Sequence, residues 1–109
     1  MAATAFEVLA EPQRRHILDL LRDGERPVSA LVEQLALSQP AVSKHLRVLR
    51  EAGLVTLRVD AQRRFYRVRY QPLLELDAWL APYRALWSAS LDRLEQHLET
   101  IEPPAQRAE

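Results

Sequence analysis

Apolar side chains recur every three or four residues through the first half of this chain, switch to every second residue between Leu54 and Tyr70, and return to the longer period beyond Pro72. The first period predicts helices with clear starts and stops. Thr4-Ala5-Phe6-Glu7 fits a capping box, with Thr4 as cap and Glu7 reaching back, and opens a short helix to about Leu9. Glu11-Pro12 places a proline at a first helical position. Ile17, Leu18, Leu20 and Leu21 then form one apolar face, which Asp23-Gly24 ends with glycine in the left-handed conformation. Arg26-Pro27-Val28 reads as a short strand or extended lead-in. Ser29 follows as the cap of a two-turn helix with Ala30, Leu31, Val32 and Leu35 inward. Three residues, Ala36-Leu37-Ser38, connect it to the next helix, where Ser38 is the cap and Pro40 sits in a first turn that has no donor to lose. Val42, Leu46 and Leu49 make its buried stripe, and Ala52-Gly53 closes it. Two helices this short cannot bury both faces alone, so the Pro12–Asp23 helix backs them in a tri-helical core with Leu37 at the turn as its plug.

In the alternating stretch Val55, Leu57 and Val59 interleave with Thr56 and Arg58. After Asp60-Ala61-Gln62-Arg63-Arg64, Tyr66, Val68 and Tyr70 interleave with Phe65, Arg67 and Arg69. This predicts a hairpin with one basic face, carrying Arg58, Arg63, Arg64, Arg67 and Arg69 over its strands and tip. Gln71-Pro72 starts a last helix of about residues 72–101, along which Leu73, Leu76, Leu80, Tyr83, Trp87, Leu91, Leu94, Leu98 and Ile101 step by three or four, widened by Leu74, Trp79 and Leu86. Pro82 should kink or restart it near Ala81, and the tail from Glu102, with Pro103-Pro104, is expected to fray. The apolar stripe exceeds what one small core can cover. It predicts a twofold dimer in which Phe6, Leu76, Leu80, Tyr83, Trp87, Leu91 and Leu94 meet a second copy; the alternative is a helix folded back on its own domain. The fold class is therefore α+β and mostly α: a winged helix-turn-helix, in one domain over residues 1–109, with dimerisation helices at both ends.

Composition narrows what such a fold can do. The 109 residues are 48% hydrophobic and 28% charged, as in a globular protein, and contain no cysteine. That removes disulfides, thiolate metal sites and cysteine nucleophiles. Neither a leader-like N-terminus nor eighteen uninterrupted apolar residues is present, so a soluble cytoplasmic protein is expected. The net charge of zero hides a strong asymmetry. Residues 1–37 carry four basic and six acidic side chains, residues 38–70 eight and two, and residues 71–109 three and seven. The basic third contains the helix from Ser38, whose polar side offers Gln39, Ser43, Lys44 and Arg47. Amide, hydroxyl and cationic groups at a helix N-terminus suit base edges in a major groove, since Gln pairs with adenine and Lys or Arg with guanine. Alone, that helix is no more than amphipathic; the short helix before it and the arginine hairpin after it make it a recognition helix beside a wing whose guanidinium groups meet phosphates or a minor groove. An enzyme is excluded by the lack of a carboxylate pair, a glycine-rich phosphate loop or a nucleophile with a base, and His16, His45 and His97 are scattered. Two other readings stand beside a DNA-binding regulator: a winged-helix protein-interaction module, and a metal-responsive repressor.

Glu11-Pro12-Gln13-Arg14-Arg15-His16-Ile17-Leu18, Leu37-Ser38-Gln39-Pro40-Ala41-Val42-Ser43-Lys44-His45-Leu46-Arg47-Val48-Leu49, Ala52-Gly53-Leu54-Val55 and Arg63-Arg64-Phe65-Tyr66-Arg67 resemble the ArsR-type winged helix-turn-helix transcriptional repressors. The resemblance runs over roughly residues 4–100 and is most specific from Ser38 to Leu49. It implies a homodimer on a palindromic double-stranded DNA operator, released by a small-molecule or protein inducer. Position by position it makes Ser38, Gln39, Ser43, Lys44 and Arg47 base-reading residues and leaves His45 either bracing its helix or touching backbone, beside the wing contacts Arg58, Arg63, Arg64 and Arg67 already expected from the hairpin. The departures concern metal. The cysteine box of many relatives falls on Pro27-Val28-Ser29-Ala30-Leu31, so no cofactor is expected there. The zinc ligands other relatives carry on their last helices are matched by neither half here, leaving at most a degenerate Asp92, His97 and Glu99 set. A pocket between paired last helices, lined by Trp79, Tyr83 and Trp87, would suit a small apolar ligand, although aromatics at this spacing more often build a core. The wing tip lacks the glycine common in relatives.

Overall fold

The computed structural model describes residues 4–101. In chain order its elements are α1 (Ala5–Leu9), α2 (Pro12–Leu21), β1 (Arg26–Pro27), α3 (Val28–Leu35), α4 (Gln39–Glu51), β2 (Val55–Asp60), β3 (Arg63–Val68) and α5 (Gln71–Ile101). Most ends follow from the capping chemistry. Thr4 Oγ1 accepts from the Glu7 N–H at 3.2 Å and donates to Glu7 Oε1 at 3.3 Å, so the reciprocal half of the capping box runs through the hydroxyl. Glu11 caps α2, with Pro12 in its first turn. At the end of α4 the Gly53 N–H bonds the Arg50 carbonyl and the Leu54 N–H bonds the Leu49 carbonyl at 2.9 Å, a complete Schellman closure. Gly53 is required there. Its φ is +77°, and a Cβ would lie 3.1 Å from Arg69 Nη1.

Three local expectations are corrected. Ser29 is not the cap of α3: the helix begins two residues earlier than that cap implies, at Val28, with Pro27 in the cap position and no side-chain hydrogen bond. Pairing of Arg26 and Pro27 with Tyr66 and Phe65 pulls the helix start back to Val28. Gly24 is not left-handed helical but has φ +147°, because α2 has already ended at Leu21 and the chain is turning into β1. The hairpin loop is not Asp60–Arg64 but only Ala61-Gln62, since Asp60 pairs with Arg63 and Val59 with Arg64. With no glycine at the tip, Ala61 itself takes the positive φ of 56°.

The sheet is antiparallel in the order β1-β3-β2. The core gathers Val8 of α1, Ile17 and Leu21 of α2, Leu31 and Leu35 of α3, Val42, Leu46 and Leu49 of α4, then Leu54, Val55, Tyr66 and Val68, all buried. Leu37 packs against it from the helix-turn-helix turn, and Leu73 from the first turn of α5. Alternation in the wing fails toward its tip, where Val59 is exposed because a two-stranded tip has nothing behind it, and Tyr70, beyond the end of β3, is exposed as well.

The chain divides into two compact units, one ending at Leu76 and the other starting at Asp77. Helix α5 is continuous through Pro82, so the expected restart near Ala81 does not occur. Arg84 Nη1 reaches back over that turn to Asp77 Oδ1 at 2.6 Å and to the Asp77 carbonyl at 3.2 Å. Along the second unit Tyr83, Leu86, Trp87, Leu91, Leu94 and Leu98 are exposed, and Leu80 is half-buried. Trp79 and Tyr83 meet with ring centroids 5.0 Å apart and planes tilted by 39°. Among the described residues no helix is long and apolar enough to cross a membrane. The expected fraying of residues 102–109 lies outside the described residues.

Candidate nucleic-acid interface

The recognition helix is set by its two ends and one side. Ser38 Oγ accepts from the Ala41 N–H at 3.3 Å, which fixes the first turn with Pro40 inside it. Ahead of Ser38, Ala36 takes the left-handed conformation (φ 55°, ψ 33°) and returns its N–H to the Val32 carbonyl, giving the turn between α3 and α4. On the side facing α2, Arg14 Nε donates to His45 Nδ1 at 3.4 Å while Arg14 Nη1 donates to the Val8 carbonyl at 3.3 Å. One guanidinium thus ties α1, α2 and α4 together. His45 is half-buried, and the Arg14 hydrogen bond ties it to α2.

With Val42, Leu46 and Leu49 inward, Gln39, Ser43, Lys44 and Arg47 are left exposed. They border a cleft of about 700 Å³ between α4, the start of α3 and the wing. Its other walls are Pro27, Val28, Ser29, Pro40, Arg50, Gln62, Arg63, Arg64 and Tyr66. Five cations therefore surround it, Lys44, Arg47, Arg50, Arg63 and Arg64, and no carboxylate borders it among the described residues. Such a field concentrates polyanions.

The wing's arginines do not share one face. Strand alternation puts Arg64 with Tyr66 and Val68, while Arg58, Phe65 and Arg67 point to the other side. There Arg58 is held by Glu25: its Nη2 donates to Oε1 at 2.7 Å and its Nε to Oε2 at 3.0 Å. The same guanidinium lies 4.5 Å from the Phe65 ring centroid and 3.9 Å from Asp60 Oδ2. The Arg58 hydrogen bond lowers the Glu25 carboxyl below its ordinary value, and the Glu25 hydrogen bond raises Arg58. Arg67 Nε donates to Thr56 Oγ1 at 3.3 Å on that same side. Arg63, at the tip, lies 5.0 Å from the Phe65 centroid yet still borders the cleft.

Of the expected DNA contacts the cleft gathers Gln39, Ser43, Lys44, Arg47, Arg63 and Arg64; Ser38, His45, Arg58 and Arg67 are not among its walls. Ser38 uses its hydroxyl as a cap. Of the remaining walls, Ser29, Arg50, Gln62 and Tyr66 carry polar groups not assigned to DNA from the sequence. Arg50 had a signal, since Ser43, Arg47 and Arg50 follow the i, i+4, i+7 spacing of one helix face. Tyr66 had none, for alternation assigns it simply to the core. No three His, Asp or Glu side chains among the described residues form a group able to hold a metal ion. His97 lies about 140° around α5 from Asp92.

Comparison with known proteins bears on this geometry. The family described as "Bacterial regulatory protein, arsR family" matches residues 11–56, from the start of α2 into β2. The chain is 36% identical over 69 residues to the arsenical resistance operon repressor of Staphylococcus xylosus, a stretch covering 63% of this chain and 66% of that protein. Among solved structures, an ArsR family transcriptional regulator superposes with a TM-score of 0.67 at 30% identity, covering 76% of this chain and 86% of that one. A possible transcriptional regulator for arsenical resistance gives 0.65 at 45% identity, over 84% and 92% of the two chains. The chain spans less than two thirds of the length of most of the curated relatives it matches.

Proposed function

The chain belongs to the ArsR family of bacterial regulatory proteins, DNA-binding transcriptional regulators rather than enzymes, and from that premise we propose that it is a cytoplasmic homodimeric repressor of a palindromic operator. The observation that carries the proposal is the cleft walled by five cations and no carboxylate, with the polar side of α4 along one wall. Each copy lays α4 in a major groove. Gln39, Ser43, Lys44 and Arg47 read base edges, while Arg63 and Arg64 meet the backbone. The exposed stripe of Tyr83, Trp87, Leu91 and Leu94 is covered by the α5 of a second copy, which spaces two recognition helices about one turn of DNA, roughly 34 Å, apart. Phe6, exposed on α1, and Leu76 and Leu80, half-buried on α5, meet the second copy as well in this reading. An inducer acts by changing that spacing.

Fluorescence anisotropy with a duplex selected by the protein from a random pool, and with a scrambled duplex of equal length, tests this reading between 50 and 200 mM salt. Tight, salt-dependent binding of the selected duplex at two protein chains per duplex is expected. Equal affinity for both duplexes would remove the sequence-specific role, and no salt-dependent binding at all would leave the protein-interaction reading.

A further inference from the structure

Tyr66 carries an observation that the recognition helix and the arginines do not absorb. It sits on the central strand of the sheet, paired with Arg26 on one side and Leu57 on the other, and is only 6% exposed. A tyrosine so deeply packed ordinarily finds a protein partner for its hydroxyl. The hydroxyl of Tyr66 has no hydrogen-bond partner among the described residues. Yet among the described residues no side-chain oxygen or nitrogen is both sealed from solvent and unpartnered, so Oη must reach solvent. The opening that Tyr66 borders is the cationic cleft. Its ring is therefore anchored in the core, and its single donor is presented at the cleft with no protein group to satisfy it.

The surroundings select the ligand. Pro27, Val28 and Ser29 border the same cleft, and they form the cap and first turn of α3, where no side chain caps the free N–H groups. The positive end of that helix, Arg63 and Arg64 all favour an anionic acceptor. No carboxylate is there to take the hydroxyl.

Resting on the DNA-binding reading above, we infer that Tyr66 is a phosphate-binding residue: its hydroxyl donates to one backbone phosphate of the bound duplex, beside the first turn of α3. The contact is neutral and pre-ordered, because the ring has no freedom left to lose. It adds affinity without sequence preference and without releasing a counterion.

The test is Tyr66→Phe, which removes one oxygen and leaves the ring, titrated by anisotropy against the selected and the scrambled duplex between 50 and 200 mM salt. The expected result is an affinity loss on both duplexes of about tenfold per half-site, as for one hydrogen bond to a charged acceptor, and so about a hundredfold for the two copies in a dimer. The salt slope and the thermal unfolding midpoint should match the wild type. A second measurement uses the unaltered protein. One neutral methylphosphonate per half-site, walked along the selected duplex, should reach a position where the wild type loses affinity and Tyr66→Phe loses no more. Undiminished affinity of Tyr66→Phe, a loss confined to the selected duplex, or full additivity at every methylphosphonate position overturns the inference while leaving the proposed function intact. Failure of the wild type to bind either duplex overturns both.

Discussion

The split of the wing into two faces makes a prediction that alternation alone would not. Arg64 shares its face with Tyr66 and borders the cleft, whereas Arg58 faces the other side with Glu25 2.7 Å away and Asp60 3.9 Å away. Truncation of each to alanine should therefore separate cleanly in salt dependence. A cation on a phosphate contributes about 0.9 to the slope of log K against log salt. At 0.15 M salt that is worth about fivefold in affinity, and a dimer carries two copies, so Arg64→Ala should cost about thirtyfold and flatten the slope by about 1.8. Between 50 and 200 mM salt the wild type should then lose about twelvefold more affinity than the variant. Arg58→Ala should leave the slope within about 0.3 of the wild type, because its charge is already matched by a carboxylate before DNA arrives. Anisotropy titrations at four salt concentrations read both numbers. A slope flattened by Arg58→Ala as much as by Arg64→Ala would show that both faces meet phosphate and that the cleft is not the interface.

Three further outcomes follow from named contacts. Ser38→Ala removes the Oγ that accepts from the Ala41 N–H and should lower stability to urea by about 1 kcal/mol, with weaker operator binding as the first turn of α4 frays; an unchanged midpoint would mean that Pro40 alone sets the helix start. Glu25 is held below its ordinary value of 4.5 by Arg58, so the pair's contribution is fully present above that pH and is lost as pH falls through the lowered value. The unfolding midpoints of wild type and Glu25→Gln should differ slightly at pH 7 and converge in acid, and a gap that widens toward acid would reverse the assigned sign. Leu91→Glu puts a carboxylate in the exposed stripe of α5 and should turn a dimer into a monomer by sedimentation while circular dichroism stays unchanged; a dimer that persists would place the interface elsewhere.

What the chain displays in its own order and what it conceals differ for a physical reason. Caps, stops and periods act within four residues of one another, so Thr4, Pro12, Ser38 and Gly53 mark their elements and Val42, Leu46 and Leu49 mark the buried side of α4. The recognition face follows by subtraction. The wing is harder, because one loop residue more or fewer transfers every side chain of a strand to the opposite face. Without a glycine at the tip the turn length is not written in the sequence, and a five-residue loop left the arginines free to share a side. A two-residue turn with Ala61 at positive φ divides them.

Which cations remain available is concealed more deeply still, since it depends on partners far along the chain. Glu25 and Arg58 are 33 residues apart, as are few contacts that local pattern can foresee, and Arg14 finds His45 31 residues away. Each pairing withdraws a polar group that composition alone would have counted toward DNA. The +6 charge of residues 38–70 thus overstates the interface in one place and understates it in another. It includes Arg58 and Arg67, which are turned away, and gives no weight to the neutral hydroxyl of Tyr66. Charge asymmetry located the site to within a third of the chain, but only the fold decides whether a guanidinium meets a phosphate or a carboxylate. That decision is an electrostatic one: a cation already 2.7 Å from a carboxylate would have to give up that partner on binding DNA, whereas the five around the cleft have no carboxylate bordering the cleft to give up.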